Sequence, residues 1–222
     1  MSREELDIKC KDVVKGAFEA ALEQVPVVNF FVSAVGKVKD GCLQRKYENW
    51  QKMVGERLAT LEDAVFNSLG DNEIFATTLL KTTELASKSN EKKMEMLANA
   101  VKYAAINDIS DDYIITFLNC IDRYTISHCK LIKYFSNPSE YYKSRGTEYS
   151  HTSPMTLYND TYSTPRSEYR FLDIIIKQLY NDGVFNTEEL NTTMTLRGAM
   201  SPRITDMGRR FIDFFGLNDV EL

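Results

Sequence analysis

Seven apolar residues between Leu43 and Val65 limit what this chain can fold into more than any motif it carries. Leu43, Tyr47, Trp50, Val54, Leu58, Leu61 and Val65 advance by six steps over twenty-two residues, a mean of about 3.67. That is the period of a straight α-helix rather than of a left-handed heptad coil, so it predicts a long helix packed in a bundle. Gln44, Lys46, Glu48, Lys52, Glu56 and Glu62 fall opposite the stripe and read as a solvated face.

Similar spacing recurs on both sides. Leu6, Cys10, Val13, Val14, Ala17, Phe18, Ala21 and Leu22 predict a helix over residues 4–24 that Pro26 ends or kinks. After the Gly70-Asp71-Asn72 turn, Ile74, Phe75, Leu79, Leu80 and Leu85 predict another. Ser89 or Asn90 would cap the next, which bears Met94, Leu97, Ala98, Val101, Ala104 and Ala105; alanines there allow close helix approach. Short links between these segments predict an antiparallel helical bundle over residues 1–108.

A second module is expected over 109–222. Ser110 would cap a helix with Tyr113, Ile114, Phe117, Leu118 and Ile121, and Thr125 or Ser127 would start the next, ending by Pro138. Residues 136–165 lose all periodicity, and six of the twelve tyrosines fall within 136–169, which reads as a Tyr-rich inserted loop. A helix over 167–181 carries Phe171, Ile174, Ile175 and Leu179, and Asp182-Gly183 turns it. Val184-Phe185 and Met194–Leu196 are expected as short strands of a β-hairpin, with Gly198–Pro202 as the loop between two arms of a wing. Thr205 is a good N-cap, Asp206 suits the helix dipole, Met207, Phe211, Phe214 and Phe215 sit at helical spacing, and Gly216 closes the helix. The fold class expected is therefore mainly α: a bundle followed by a winged-helix-like module with a small β-hairpin.

Composition narrows the function. The net charge is −5, and neither half is basic: residues 1–108 carry 15 Lys and Arg against 17 Asp and Glu, residues 109–222 carry 12 against 15. Nucleic-acid binding would have to rest on a local patch, for which Arg197, Arg203, Arg209 and Arg210 near the expected wing are the candidates. Four cysteines without close spacing suggest reduced thiols and a cytoplasmic protein. The acidic start, Met-Ser-Arg-Glu-Glu, leads into no apolar run, so no signal peptide is expected.

The longest uncharged run, Gln24–Gly36, would reach about 20 Å as a helix, short of a roughly 30 Å hydrocarbon core. Its residues Val27, Val28, Phe30, Phe31 and Val35 form a candidate partner or membrane face, reached on activation, with Lys37 and Lys39 placed for anionic headgroups. At rest the run reads as a buried helix.

Catalytic chemistry finds no foothold. The P-loop, dinucleotide, nucleophile-elbow and zincin patterns are missing, and the pairs Glu4/Glu5, Asp111/Asp112 and Glu188/Glu189 suit helix starts and polar loops. Cys120, His128 and Cys129 match no zinc spacing; Cys129 shares a face with Ile126 and Ile132 and reads as core, while His128 is expected at solvent or beside a carboxylate. No metal, no cofactor and no catalytic residue is expected.

Three segments carry a family likeness: Glu91–Ala105 (EKKMEMLANAVKYAA), Asp112–Phe135 (DYIITFLNCIDRYTISHCKLIKYF), and Val25–Gly36 followed by a long charged helix. In these the chain resembles the alpha-helical abortive-infection (Abi-alpha) family of bacterial all-helical proteins. The resemblance covers about half the chain and implies a part in phage defence, with no catalytic residues to transfer. The expected function is a non-enzymatic defence or stress protein acting through protein or membrane contacts. The alternative is a winged-helix transcriptional regulator binding DNA through Arg197, Arg203, Arg209 and Arg210.

Overall fold

The computed structural model describes residues 41–142 and 148–222, and these are mainly helical with one small two-stranded antiparallel sheet. The expected 4–24 helix and the Val25–Gly36 run lie outside the described residues. The described chain forms two compact units, one running to Asp122 with Phe214–Gly216, the other Arg123–Asp213 with Leu217–Leu222. The division falls after the helix that was expected to open the second module.

In the first unit, α1 (Gly41–Leu58), α3 (Glu73–Lys88) and α4 (Glu91–Ile106) pack against one another. The 43–65 stripe does not make a single helix. Thr60 N and Leu61 N donate to Arg57 O and Leu58 O, a tightened last turn, and the Thr60 hydroxyl also donates to Arg57 O. The chain then restarts as α2 (Asp63–Ser68), followed by a 3₁₀ turn over Leu69–Asp71. Side-chain caps fix the next two starts: Asn72 Oδ1 accepts from Phe75 N at 2.9 Å and Asn90 Oδ1 from Lys93 N at 3.0 Å. Four buried alanines on α4 (Ala98, Ala100, Ala104, Ala105) bring its neighbours close. α5 (Asp111–Arg123) buries Ile114, Phe117, Leu118 and Ile121, and Phe117 meets Phe214 with centroids 5.6 Å apart.

The second unit runs α6 (Ile126–Ser136), α7 (Pro138–Tyr141), β1 (His151–Thr152), α8 (Pro154–Tyr162), α9 (Tyr169–Asn181), β2 (Met194–Thr195), α10 (Leu196–Ala199) and α11 (Asp206–Phe215). The described residues of the expected loop at 136–165 are largely structured. Ser153 caps α8 by accepting from Thr156 N, Pro154 occupies the first turn, and Ser163 ends the helix in the left-handed region at φ 51°. Its tyrosines supply the missing core. Tyr134 meets Tyr158 and Tyr162 with centroids 5.1 and 5.9 Å away, and Phe135 meets Phe185 at 5.7 Å.

Burial pushes the Tyr134 and Tyr158 phenols above the ordinary value of 10.0. The unfolded chain therefore releases these protons first, so the stability they contribute is intact below about pH 10 and is lost as pH rises beyond it. Helical circular dichroism is expected to fall above about pH 10 in step with late tyrosinate absorbance. Complete tyrosine titration near pH 10 with helix content unchanged would contradict this packing.

The strand pairing also differs from a hairpin. Met194–Thr195 pairs antiparallel with His151–Thr152, while Phe185 bridges Ile204. Gly198–Pro202 is not a loop between arms, because Leu196–Ala199 is a helical turn whose Thr195 side chain accepts from Gly198 N. The physical reason is that 184–186 finds its ladder partner in 203–205: Thr205 N donates to Val184 O and Asn186 N to Arg203 O. That leaves β2 free to take β1.

Candidate functional site

α9 buries one side and leaves large apolar residues exposed on the other. Leu172, Ile175, Ile176 and Leu179 are buried, yet Phe171 is 46 % exposed, Ile174 59 % and Tyr180 43 %. Arg170, Asp173 and Lys177 share that outward half. The sequence reading placed Phe171 and Ile174 with the core residues. Phe171 and Ile174 border the buried arc of an otherwise amphipathic helix, and apolar character alone does not mark where burial stops.

Two recesses border the same helix. The first, about 270 Å³, is lined by Met155, Thr156, Asn159 and Asp160 of α8, Tyr169 and Asp173 of α9, and Asn191. Asn159 is 9 % exposed, and its Oδ1 is buried without a hydrogen-bond partner. Tyr149 donates to Asp160 Oδ2 at 2.7 Å, and Asn191 Nδ2 donates to Asp173 Oδ1 at 3.2 Å. The second, about 400 Å³, shares Asp173 and Asn191 and adds Lys177, Glu188, Glu189 and Thr192. Sequence reasoning read Glu188/Glu189 as a solvated loop pair and gave no role to Asn159, Asp160 or Asp173; only the tertiary fold brings them together.

The four expected arginines are differently employed. Arg203 is turned inward: Nη2 donates to Gly198 O at 2.7 Å and to Met194 Sδ at 3.1 Å, and its Nε is buried without a partner. It clasps the 194–203 segment. Arg197, Arg209 and Arg210 are exposed, and Arg209 pairs with Asp206 at 3.4 Å one turn back. Val27, Val28, Phe30, Phe31 and Val35 lie outside the described residues.

His128 is buried rather than at solvent, one of the two positions expected of it. Its Nδ1 accepts from Thr125 N at 3.1 Å, Nε2 meets Gln178 Oε1 at 3.2 Å, and the ring stacks on Tyr124 with centroids 4.7 Å apart. A ring nitrogen that accepts from a backbone N–H and another facing a carboxamide oxygen fix the neutral tautomer with its proton on Nε2. The imidazole thus caps α6 and ties it to α9. Cys129 and Cys120 are both buried. Among the described residues no group of three His, Cys, Asp or Glu side chains is placed to hold a metal, and no helix is long and apolar enough to cross a membrane.

What these features define is a mainly helical chain whose most distinctive surface is a half-apolar helix beside acid-lined recesses. Comparison with family models, with curated proteins and with solved structures finds no match to this chain.

Proposed function

We propose that this chain is a non-enzymatic interaction protein, acting in phage defence or stress as the Abi-alpha resemblance implies, with the outward half of α9 as its contact surface. The observation that carries this reading is the exposure of Phe171, Ile174 and Tyr180 on one helix whose other side is core. Aromatic residues are enriched at protein interfaces, where a few of them supply most of the binding free energy. The order of elements from α6 to α11 supports a winged-helix-like module, with α9 in the place of a recognition helix. A duplex, however, would bring phosphates toward Asp173, Glu188 and Glu189, and inward-turned Arg203 is not available to meet them. Charge therefore favours a protein partner over DNA.

The test compares the wild-type chain with Ile174→Asp in bacteria challenged with phage. Wild type is expected to lower plating efficiency at least tenfold, and Ile174→Asp to abolish the effect. An exposed substitution of this kind should change stability by no more than about 0.5 kcal/mol, so the melting curve serves as the folding control. Protection that survives Ile174→Asp but is lost in Arg197→Glu/Arg209→Glu, together with a salt-sensitive gel shift, would replace this reading with the DNA-binding one.

A further inference from the structure

We propose that the recess between α8, α9 and Asn191 is a socket for a cationic side chain, guanidinium or ammonium, from a basic segment of a protein partner. This rests on the contact function proposed above and names the chemistry of its partner. Two observations support it independently. The first is charge. Asp160 and Asp173 line this recess, and Glu188 and Glu189 line the adjoining one, with Lys177 as the single cation among the described residues lining either. The second is an orphan acceptor. Asn159 is nine-tenths buried, it lines the recess, and its Oδ1 has no donor. A buried acceptor without a partner is costly, and a donor arriving with a ligand removes that cost.

The acceptors suit a cation rather than an anion or a neutral amide. Asp160 Oδ2 already takes the Tyr149 hydroxyl and Asp173 Oδ1 takes the Asn191 carboxamide, so both carboxylates are held in place while keeping further lone pairs. Several acceptors lining one recess suit an incoming group with several N–H donors, and guanidinium has five such donors in a fixed fork. Tyr169 lines the same recess and is itself exposed, which offers a ring face to the cation. The second recess, with Glu188 and Glu189, is placed for another basic side chain of the same segment. A free polyamine offers the same ammonium chemistry, and the test separates the two sources.

The experiment uses the full chain, labelled with nitrogen-15, titrated with a capped Gly-Arg-Gly-Gly-Arg-Gly peptide. Saturable shifts are expected at the amides of Asn159, Asp160, Asp173 and Asn191, and none with glutamate in place of arginine. Asp173→Lys and Asn159→Leu should each weaken binding at least tenfold. Asp173 is exposed, so its variant stays interpretable even if Asn159→Leu fails to fold. No saturable shift at low millimolar peptide, or shifts that Asp173→Lys leaves unchanged, would overturn the proposal. Tighter saturation of the same amides by spermidine would assign the socket to free polyamines and overturn it as well. If the peptide fails while Ile174→Asp still abolishes protection, the socket alone is wrong. If the peptide binds and Ile174→Asp is silent, the α9 contact reading is wrong.

Discussion

Trp50→Ala is expected to lower the stability of the first unit by about 4 kcal/mol, the middle of the range for truncating a large buried aromatic. Trp50 is 1 % exposed and is the chain's sole tryptophan. It sits at the middle of the α1 stripe, and its Nε1 donates to Thr83 Oγ1 of α3 at 3.1 Å. Thr83 spends its own proton on Leu79 O at 2.6 Å, so its oxygen needs an external donor. Truncation therefore adds an unsatisfied buried acceptor to the cavity, and the lost hydrogen bond alone contributes about 1 kcal/mol. Trp50→Phe shrinks the cavity term, because it keeps most of the aromatic volume while removing the donor; a loss of about 1–2 kcal/mol is expected there. Urea unfolding followed by far-UV circular dichroism measures both, as fluorescence disappears with the residue. A Trp50→Ala loss under about 1.5 kcal/mol would mean that the α1–α3 contact collapses around the gap and that the stripe is not the keystone it looks to be.

The reasons some features were legible from sequence, and others were not, are local. Caps were legible because they depend on neighbours three residues apart: Asn90 and Thr205 each accept from the amide their positions predict, while Asn72, read only as part of a turn, caps as well. The α1 stripe was legible up to Leu58 and then misled, since hydrophobic period does not sense that a threonine and a tightened turn redirect the backbone. The Tyr-rich stretch looked like a loop because helices α7 and α8 are too short to display a period, and because Tyr134 and Tyr158 fill the core while counting as half-polar in the sequence. β1 was invisible, its partner lying far along the chain. The candidate site was illegible for a further reason. Asn159, Asp173 and Asn191 come from three separate segments, and Asn159 matters only through the donor it lacks.

Gly208 allows a prediction whose sign is diagnostic. In an exposed helix interior, alanine is better than glycine by about 1 kcal/mol. At Gly208 the reverse is expected, with Gly208→Ala costing about 2 kcal/mol and Gly208→Val about 3 kcal/mol. A Cβ added there would lie 2.5 Å from Val184 O and collide with the Ile204 side chain. The carbonyl cannot move aside as a side chain would, because it accepts from Thr205 N at 3.0 Å, and the Thr205 hydroxyl pins the adjoining Gly183 O at 2.6 Å. The same hydroxyl caps α11 by accepting from Gly208 N at 3.0 Å. Backing α11 away from 184–186 would thus break the cap and the ladder together, and with them the anchoring of the 187–203 segment that carries Glu188, Glu189 and Asn191. Gly41→Ala is the control: among the described residues nothing lies within 4 Å of its added Cβ, and a gain of about 0.5 kcal/mol is expected. Gly208→Val should therefore both lower the urea midpoint and broaden or shift the Asn191 amide, while Gly41→Ala does neither. A neutral or stabilising Gly208→Ala would show that α11 does not rest on the Val184 carbonyl, and the acid-lined recesses would then lack the support this packing provides.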